Sequence, residues 1–419
     1  CRVGSLPLLA NLLLRRSTRT NTDDANANAQ ITTTTSTKKK TPNKTELLKD
    51  MGGKSAVGKG FANYAMKKFN TSQFGAISAA SAKYGKGGFT LVKGPPGTGK
   101  TTTTVALLNA LHVRQFNQYF DKVRKIACET GTTSTGAKKA ALANASKNKP
   151  RLLVCAPSNN AVDHILSKIM DDGFIDGNGT RYNPSVVRVG IGHGAGVKNV
   201  SLESKVNELL EEAKDIAKLD LAIAGYKTEL SRLHSDINKL RPRLHAIAMA
   251  SPWPLCKDWE IRTDAKFEKT GKVFFVNHKD KTTTYECPPP PEPGEKQFHA
   301  NAMPEYRAFV AQLVKLIERY NKMTLKLEQY SIVEQHGISL VSGKVNNQAY
   351  DSVRQQLETH ILDTTHIVMT TLGTAGNQAL ESTSKFEVVV VDEAAQSVEP
   401  ATLAALQLGS SHAILVGDP

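Results

Sequence analysis

Residues Gly94–Thr101 read GPPGTGKT. They follow a short apolar run, FTLVKG at 89–94, and lead into a segment of helical periodicity, which is the strand–loop–helix context a phosphate-binding loop requires. Gly94, Gly97 and Gly99 carry no Cβ, so the backbone N–H groups of the loop, with Pro95, Pro96 and Thr98 between them, can turn inward on phosphate oxygens. Lys100 is placed to neutralise the β- and γ-phosphates and the Thr101 hydroxyl to ligate Mg²⁺, with Thr102 completing the candidate ATP-binding set.

Such a loop needs an acidic partner at the end of another strand of the same sheet. VVVVDEAAQ supplies it: Asp392 to hold Mg²⁺ and Glu393 to orient or deprotonate an attacking water. RLLVCAP (151–157), THIVMTT (365–371) and HAILVGD (412–418) are further apolar runs bounded by polar residues, with helical periodicity between the runs. The pattern predicts βα units and a mostly parallel α/β sheet.

The 419 residues are 40% hydrophobic, enough for two or three cored domains, and the chain begins with Cys1, so it reads as a fragment. The formal net charge of +15 is concentrated: thirteen basic against four acidic side chains in residues 1–70, and nine against two in residues 114–151. Basic excess held in two polar segments suits single-stranded RNA or DNA as a partner. Five cysteines without paired spacing fit a reducing compartment. Lys38–Lys40 suits a nuclear address, with the cytoplasm as the alternative; LPLLANLLL at 6–14 is too short to span a bilayer, so no membrane role is indicated. Residues 17–60 read as a flexible basic linker, and Glu129–Lys149 as a surface insertion.

Between the second strand and the one bearing Asp392 lie two long helical patterns. The first runs Leu202, Val206, Leu209, Ala213, Ile216, Ile223, Leu230, Ile237, Leu240, Leu244, and predicts a helix of about 45 residues, ~70 Å, with a kink or stop at Pro242. The second, Phe309, Leu313, Leu316, Tyr320, Met323, Leu327, Tyr330, alternates steps of four and three like a heptad seam. Together they predict an antiparallel coiled-coil hairpin, a stalk.

GPPGTGKTTT, LLVCAPSNNAVDHIL, VVRVG, VKNVSLESKV, HIVMTTLGTAGN, VVVVDEAAQSVEPATL and AILVGDP occur in the order found in superfamily one helicases of the nonsense-mediated-decay and senataxin type, which this chain resembles over most of residues 69–419 outside the hairpin. FNTSQFGAI (69–77) is similar to the Q motif of that family. The resemblance implies a RecA-like first motor domain in two parts, 69–200 and 350–419, after an N-terminal segment 1–68. It implies that Gln73 reads adenine, and that Gln396, Gly417 and Asp418 sense the γ-phosphate. Pro157, Ser158, Asn159, Thr370 and Thr371 are implied to contact the sugar-phosphate backbone. The expected activity is ATP-dependent 5′-to-3′ unwinding of RNA, or of RNA/DNA hybrids, in RNA processing, transcription termination or surveillance, by a monomer. The second motor domain, with its arginine fingers, lies outside the sequence, so this portion alone is expected to hydrolyse ATP poorly. A DNA helicase of the same superfamily and a non-catalytic scaffold are the alternatives.

Within the hairpin (201–250 and 300–345), residues 252–291 resemble a WW domain: Trp259-Glu260, Gly271, Phe274-Phe275-Val276-Asn277-His278, Thr282–Thr284 and Pro288, with Tyr285 where a second Trp is usual and a longer first loop. Trp259, Phe275 and Pro288 would form a buckle on one face. Phe274, His278, Thr283 and Tyr285 would form a groove for a Pro-rich ligand on the other.

Overall fold

In the computed structural model, the described residues are 43–51, 53–82, 87–128, 137, 140–142, 144–145, 149–192, 194–341 and 347–418. Leu6–Leu14, Lys38–Lys40 and most of Glu129–Lys149 lie outside them. The strands are β1 (Gly88–Lys93), β2 (Leu152–Ala156), β3 (Phe174–Ile175), β4 (Arg181–Tyr182), β5 (Val186–Arg188), β6 (Leu255–Cys256), β7 (Trp259–Thr263), β8 (Val273–Asn277), β9 (Thr282–Thr284), β10 (Gln297–Phe298), β11 (Ile367–Thr371), β12 (Val388–Val391) and β13 (His412–Gly417). The chain divides into two compact units, residues 1–117, 149–208 and 354–419 in one, and 118–148 with 209–353 in the other.

The first unit is built on a six-stranded sheet in the order β1-β13-β12-β2-β11-β5. Every pairing in it is parallel. All five expected apolar runs are strands; β5, the sixth, is too short to be read from periodicity. β2 and β12 are buried along their whole length because helices cover both faces, which is why they are continuous apolar runs. Val154, Met369, Val390 and Ile414 pack on one side with Val105–Leu111 of the helix that follows the loop. The parallel register sets the strand ends level: Lys93 lies beside Gly417, and Val391 beside both Leu415 and Cys155. The two motifs almost three hundred residues apart in sequence therefore exit at one edge.

Part of the expected linker is structured instead. Lys44–Asp50, Gly53–Val57 and Lys59–Lys68 are helices, and Leu48, Met51, Val57 and Phe61 enter the core. Asn43 and Glu46 form a capping box, and Gly60 N donates to the Gly177 carbonyl at 2.7 Å. Composition alone obscured this, because polar residues outnumber the few apolar ones that anchor the segment.

In the second unit the first long helix is broken, and not where proline stands. One helix ends at Glu212; the next, Ile216–Ala248, starts at Asp215, whose carboxylate accepts from Lys218 N at 3.2 Å. The break resets the helical phase, leaving Ile216 exposed while Leu219 and Ile223 are buried. Pro242 is accommodated inside the helix, between buried Leu240 and Leu244. This helix pairs antiparallel with Pro304–Val341: Tyr226 meets Tyr330, and His234 meets Tyr320. The expected seam residues are buried or half-buried, with Val310, Ile317 and Val333 completing it.

The segment between these helices forms an antiparallel three-stranded sheet, β7-β8-β9, beside a β6–β10 pair. Its buried face is not a self-contained buckle. Phe275 and Ile261 pack with Leu255 and with Ile247 and Met303 from the helix ends, Trp259 is only half-buried, and Pro288 accepts from Trp253 Nε1 at 2.9 Å. Three short strands cannot enclose a core alone, so the hairpin supplies the cover. No described helix is long and apolar enough to cross a membrane.

Candidate nucleotide site and nucleic-acid edge

The loop after β1 has the cradle its glycines imply. Gly97 and Gly99 have φ of 75° and 78°, and a Cβ on Gly94 would sit 3.0 Å from Thr98 Oγ1. Thr98 Oγ1 donates to the Pro95 carbonyl at 2.7 Å, closing the turn over exposed Pro95 and Pro96. Lys100 Nζ donates to the carbonyls of Gly94 (3.0 Å) and Pro95 (3.3 Å) and forms an ion pair with Asp418. Thr101 and Thr102 are half-buried in the first turn of the helix Lys100–Cys128.

Asp392 leaves β12 buried, with its N–H on the Cys155 carbonyl and an oxygen 3.5 Å from Thr104 Oγ1. Burial pushes its carboxyl above the ordinary range; the Glu393 N–H, Thr104 and Lys100 pull it back, while the Glu393 charge raises it further. Glu393 is in the left-handed region at φ 51°, a strained position for a side chain with a Cβ, of the kind that clusters at functional sites. The turn Ala394–Gln396 that follows presses on β13: a Cβ on Gly417 would come within 3.0 Å of Ala395 N. Gln396 itself is exposed. The oxygen donors of Thr101 and Asp392 are the hard ligands Mg²⁺ prefers, and a cation there would relieve a carboxylate that burial penalises.

Gln73 lies against this loop. Its Nε2 donates to the Thr98 carbonyl at 3.0 Å, and its Oε1 accepts from Asn70 N at 3.2 Å. In this arrangement the amide braces the phosphate loop with both ends engaged, so reading adenine requires it to release one of them.

Pro157, Ser158 and Asn159 follow β2 at the same edge. Ser158 caps the helix Asn159–Asp172 by accepting from Ala161 N at 3.2 Å. Thr371 ends β11, with its hydroxyl 2.9 Å from that of Thr374. Thr370 does not join them at the surface. It is fully buried and its hydroxyl donates to the Val189 carbonyl at 3.1 Å, because side chains alternate across a strand and this one faces the core. Thr370 holds the exit of β5 and has no route to a sugar-phosphate backbone.

Arg188, Asp163 and Thr104 were not singled out from sequence. Arg188 is 0% exposed, with Nε on Asp163 (2.9 Å), Nη2 on Asn159 Oδ1 (2.6 Å) and Nη1 on the Val189 carbonyl. The other Asp163 oxygen accepts from Gly194 N at 2.7 Å. A signal existed: a charged residue inside the apolar run VVRVG must find a partner, and Asn159 and Asp163, four apart, share one helix face.

On the three-stranded sheet, Phe274 and Tyr285 meet edge to face at 6.2 Å, and Tyr285 is 64% exposed. Glu260 pairs with His278 (2.7 Å) and Arg262 (3.0 Å), and Thr283 is exposed opposite Val276. Register puts Glu260, Arg262, Phe274 and Thr283 on the face opposite Ile261 and Phe275. Among the described residues no group of three or more His, Cys, Asp or Glu is arranged to hold a metal.

A family profile described as "AAA domain" matches residues 68–419. The chain is 28% identical over 359 residues to helicase sen1 of Schizosaccharomyces pombe, covering 85% of this chain and 17% of that protein. It is 27% identical to the probable helicase senataxin of Homo sapiens, over 84% of this chain and 10% of that one. It is 26% identical to the ATP-dependent helicase upf1 of Schizosaccharomyces pombe, over 42% of this chain and 14% of that one. The chain thus spans less than a fifth of each of these relatives. The match over residues 68–419, on a sheet that brings the phosphate loop and the acidic pair to one edge, means that this chain belongs to the AAA domain family, among the superfamily one helicases of the Sen1 and Upf1 kind.

Proposed function

We propose that this chain is an ATP-binding part of a 5′-to-3′ helicase that moves along single-stranded RNA, or RNA/DNA hybrids, in nuclear RNA processing. The observation that carries this reading is the meeting of Lys100, Asp392 and Asp418 at the carboxyl edge of one parallel sheet, with the loops after β2, β5 and β11 on the same edge.

Bound ATP with Mg²⁺ supplies the phosphoryl group whose transfer to water releases the energy for movement. For that, Lys100 exchanges Asp418 for phosphate oxygens, so that its charge lies where negative charge accumulates. Thr101 and Asp392 would hold the metal. Glu393, fixed at the strand exit by its backbone turn, takes the proton of the attacking water. Gln396, on the turn after Glu393, and Asp418, just past β13, register loss of the terminal phosphate in this reading. Pro157–Asn159 and Thr371 contact the backbone of the strand, which fixes position without reading sequence.

Phe274, His278, Thr283 and Tyr285 form a docking face for a Pro-rich segment of a partner protein, whose rings stack on exposed Tyr285 and half-buried Phe274. The test of the motor reading is ATP hydrolysis by the full-length protein with and without single-stranded RNA. Stimulation by RNA that disappears in Lys100→Ala supports it; hydrolysis indifferent to both sinks it.

A further inference from the structure

Among the large hydrophobic side chains of the described residues, Ile191 is the most exposed, at 84%. It does not hang from a loose loop. Gly190 and Gly192 flank it with φ of 109° and 77°, and each is lodged against a different neighbour. A Cβ on Gly190 would stand 3.2 Å from Thr374 Oγ1, in the loop after β11; one on Gly192 would stand 2.8 Å from Asn159 Nδ2, at the start of the helix after β2. Both glycines are thus required by close packing as well as by backbone angle.

The base of this turn is fastened from within. The Val189 carbonyl accepts from both Arg188 Nη1 and Thr370 Oγ1, Val189 N donates to the Met369 carbonyl at 2.8 Å, and Asp163 ties Gly194 on the far side. Arg188 also occupies Asn159 Oδ1, so the Asn159 amide is held with its N–H₂ group beside Gly192. A buried arginine with all three nitrogens engaged is an expensive device. Its consequence here is one isoleucine held out in water between the exits of β2 and β11.

We infer that Ile191 is a nucleobase contact: its side chain packs against the face of a base of the single strand while Asn159 Nδ2 donates to an adjacent phosphate or ribose oxygen. Apolar side chains meet base faces without regard to sequence, as a translocating site requires. Arg188 and Asp163 are positioning residues for this contact. The inference rests on the proposed function, since it presumes that the strand crosses this edge.

The test is fluorescence anisotropy of the full-length protein with a labelled single-stranded RNA and with an abasic strand of equal length, across a salt series. Ile191→Ala removes an exposed side chain, so folding is unaffected. The expected result is a loss of about fivefold in affinity for RNA, little change for the abasic strand, and an unchanged slope of affinity on salt, because no charge is removed. Equal binding of RNA by wild type and Ile191→Ala overturns this inference alone, and so does an equal loss on both strands. Failure of the wild type to bind single-stranded RNA overturns the motor reading and this inference with it.

Discussion

The six-stranded parallel sheet and the three-stranded antiparallel one use opposite parts of their geometry. In the six-stranded parallel sheet both faces of the central strands are sealed, and the candidate nucleotide-binding groups Lys100, Asp392 and Asp418 lie at the carboxyl edge. In β7-β8-β9 one face is sealed by Phe275 and Ile261, and the candidate binding groups Phe274, Thr283 and Tyr285 lie on or beside the other. A parallel sheet needs helical crossovers, and these cover its faces; an antiparallel one closed by tight turns can leave a face free. The lesson is that a substitution in the first sheet separates function from stability by position along a strand, and in the second by parity.

The largest effect expected is at the edge. Lys100→Ala should reduce ATP hydrolysis of the full-length protein by about 10²- to 10³-fold, the scale of losing a charge-stabilising donor. Binding of a Pro-rich peptide, measured by titration calorimetry, should be untouched; a parallel loss would break the separation.

Next comes Phe275→Ala. Phe275 is 2% exposed, so its truncation should cost about 3–5 kcal/mol. Trp253 and Trp259, the only two tryptophans of the chain, both lie in this segment, and their fluorescence during urea unfolding reads the loss directly. Nucleotide affinity should persist where the fluorescence transition has moved.

Asp392 gives an effect whose sign follows from burial. Its folded carboxyl holds its proton to higher pH than in the unfolded chain, so the stability it lends is full below the usual 3.8 and is lost as pH rises through the raised value. Asp392→Asn should therefore make the nucleotide-free protein more stable at neutral pH, by thermal melting, and flatten its pH dependence between the acid range and neutrality. The same variant should lose Mg²⁺-dependent nucleotide binding. A less stable Asn variant would show that the carboxylate is satisfied without a cation.

The smallest change in stability is expected on the open face. Tyr285→Ala should alter unfolding by less than about 0.5 kcal/mol and weaken a Pro-rich ligand tenfold or more, the scale of a hot-spot aromatic. A large loss of stability would make Tyr285 part of the fold rather than of a docking face.

Much of this was written in the residues themselves. A strand must be apolar where both faces are covered, and a phosphate loop must be glycine-rich where backbone amides approach oxygen, so five strands, the loop and the acidic pair could be read before any geometry. The resemblance of residues 252–291 to a WW domain likewise put Phe274 and Phe275 on opposite faces. Other features depend on who the neighbours are. Thr370 is read as a surface donor until Val189 takes its hydroxyl, and Gln73 as free until it meets Thr98. The helix breaks at Asp215 and continues through Pro242, and Phe275 finds its cover on Ile247 and Met303 instead of within its own module. Arg188 could be known to need a partner, but not that its partners would be Asp163, Asn159 and the Val189 carbonyl. Local sequence fixes period, polarity and backbone freedom; which buried group satisfies which is decided only when distant segments are packed together, because a hydrogen bond or a covered face requires two surfaces and each segment carries one.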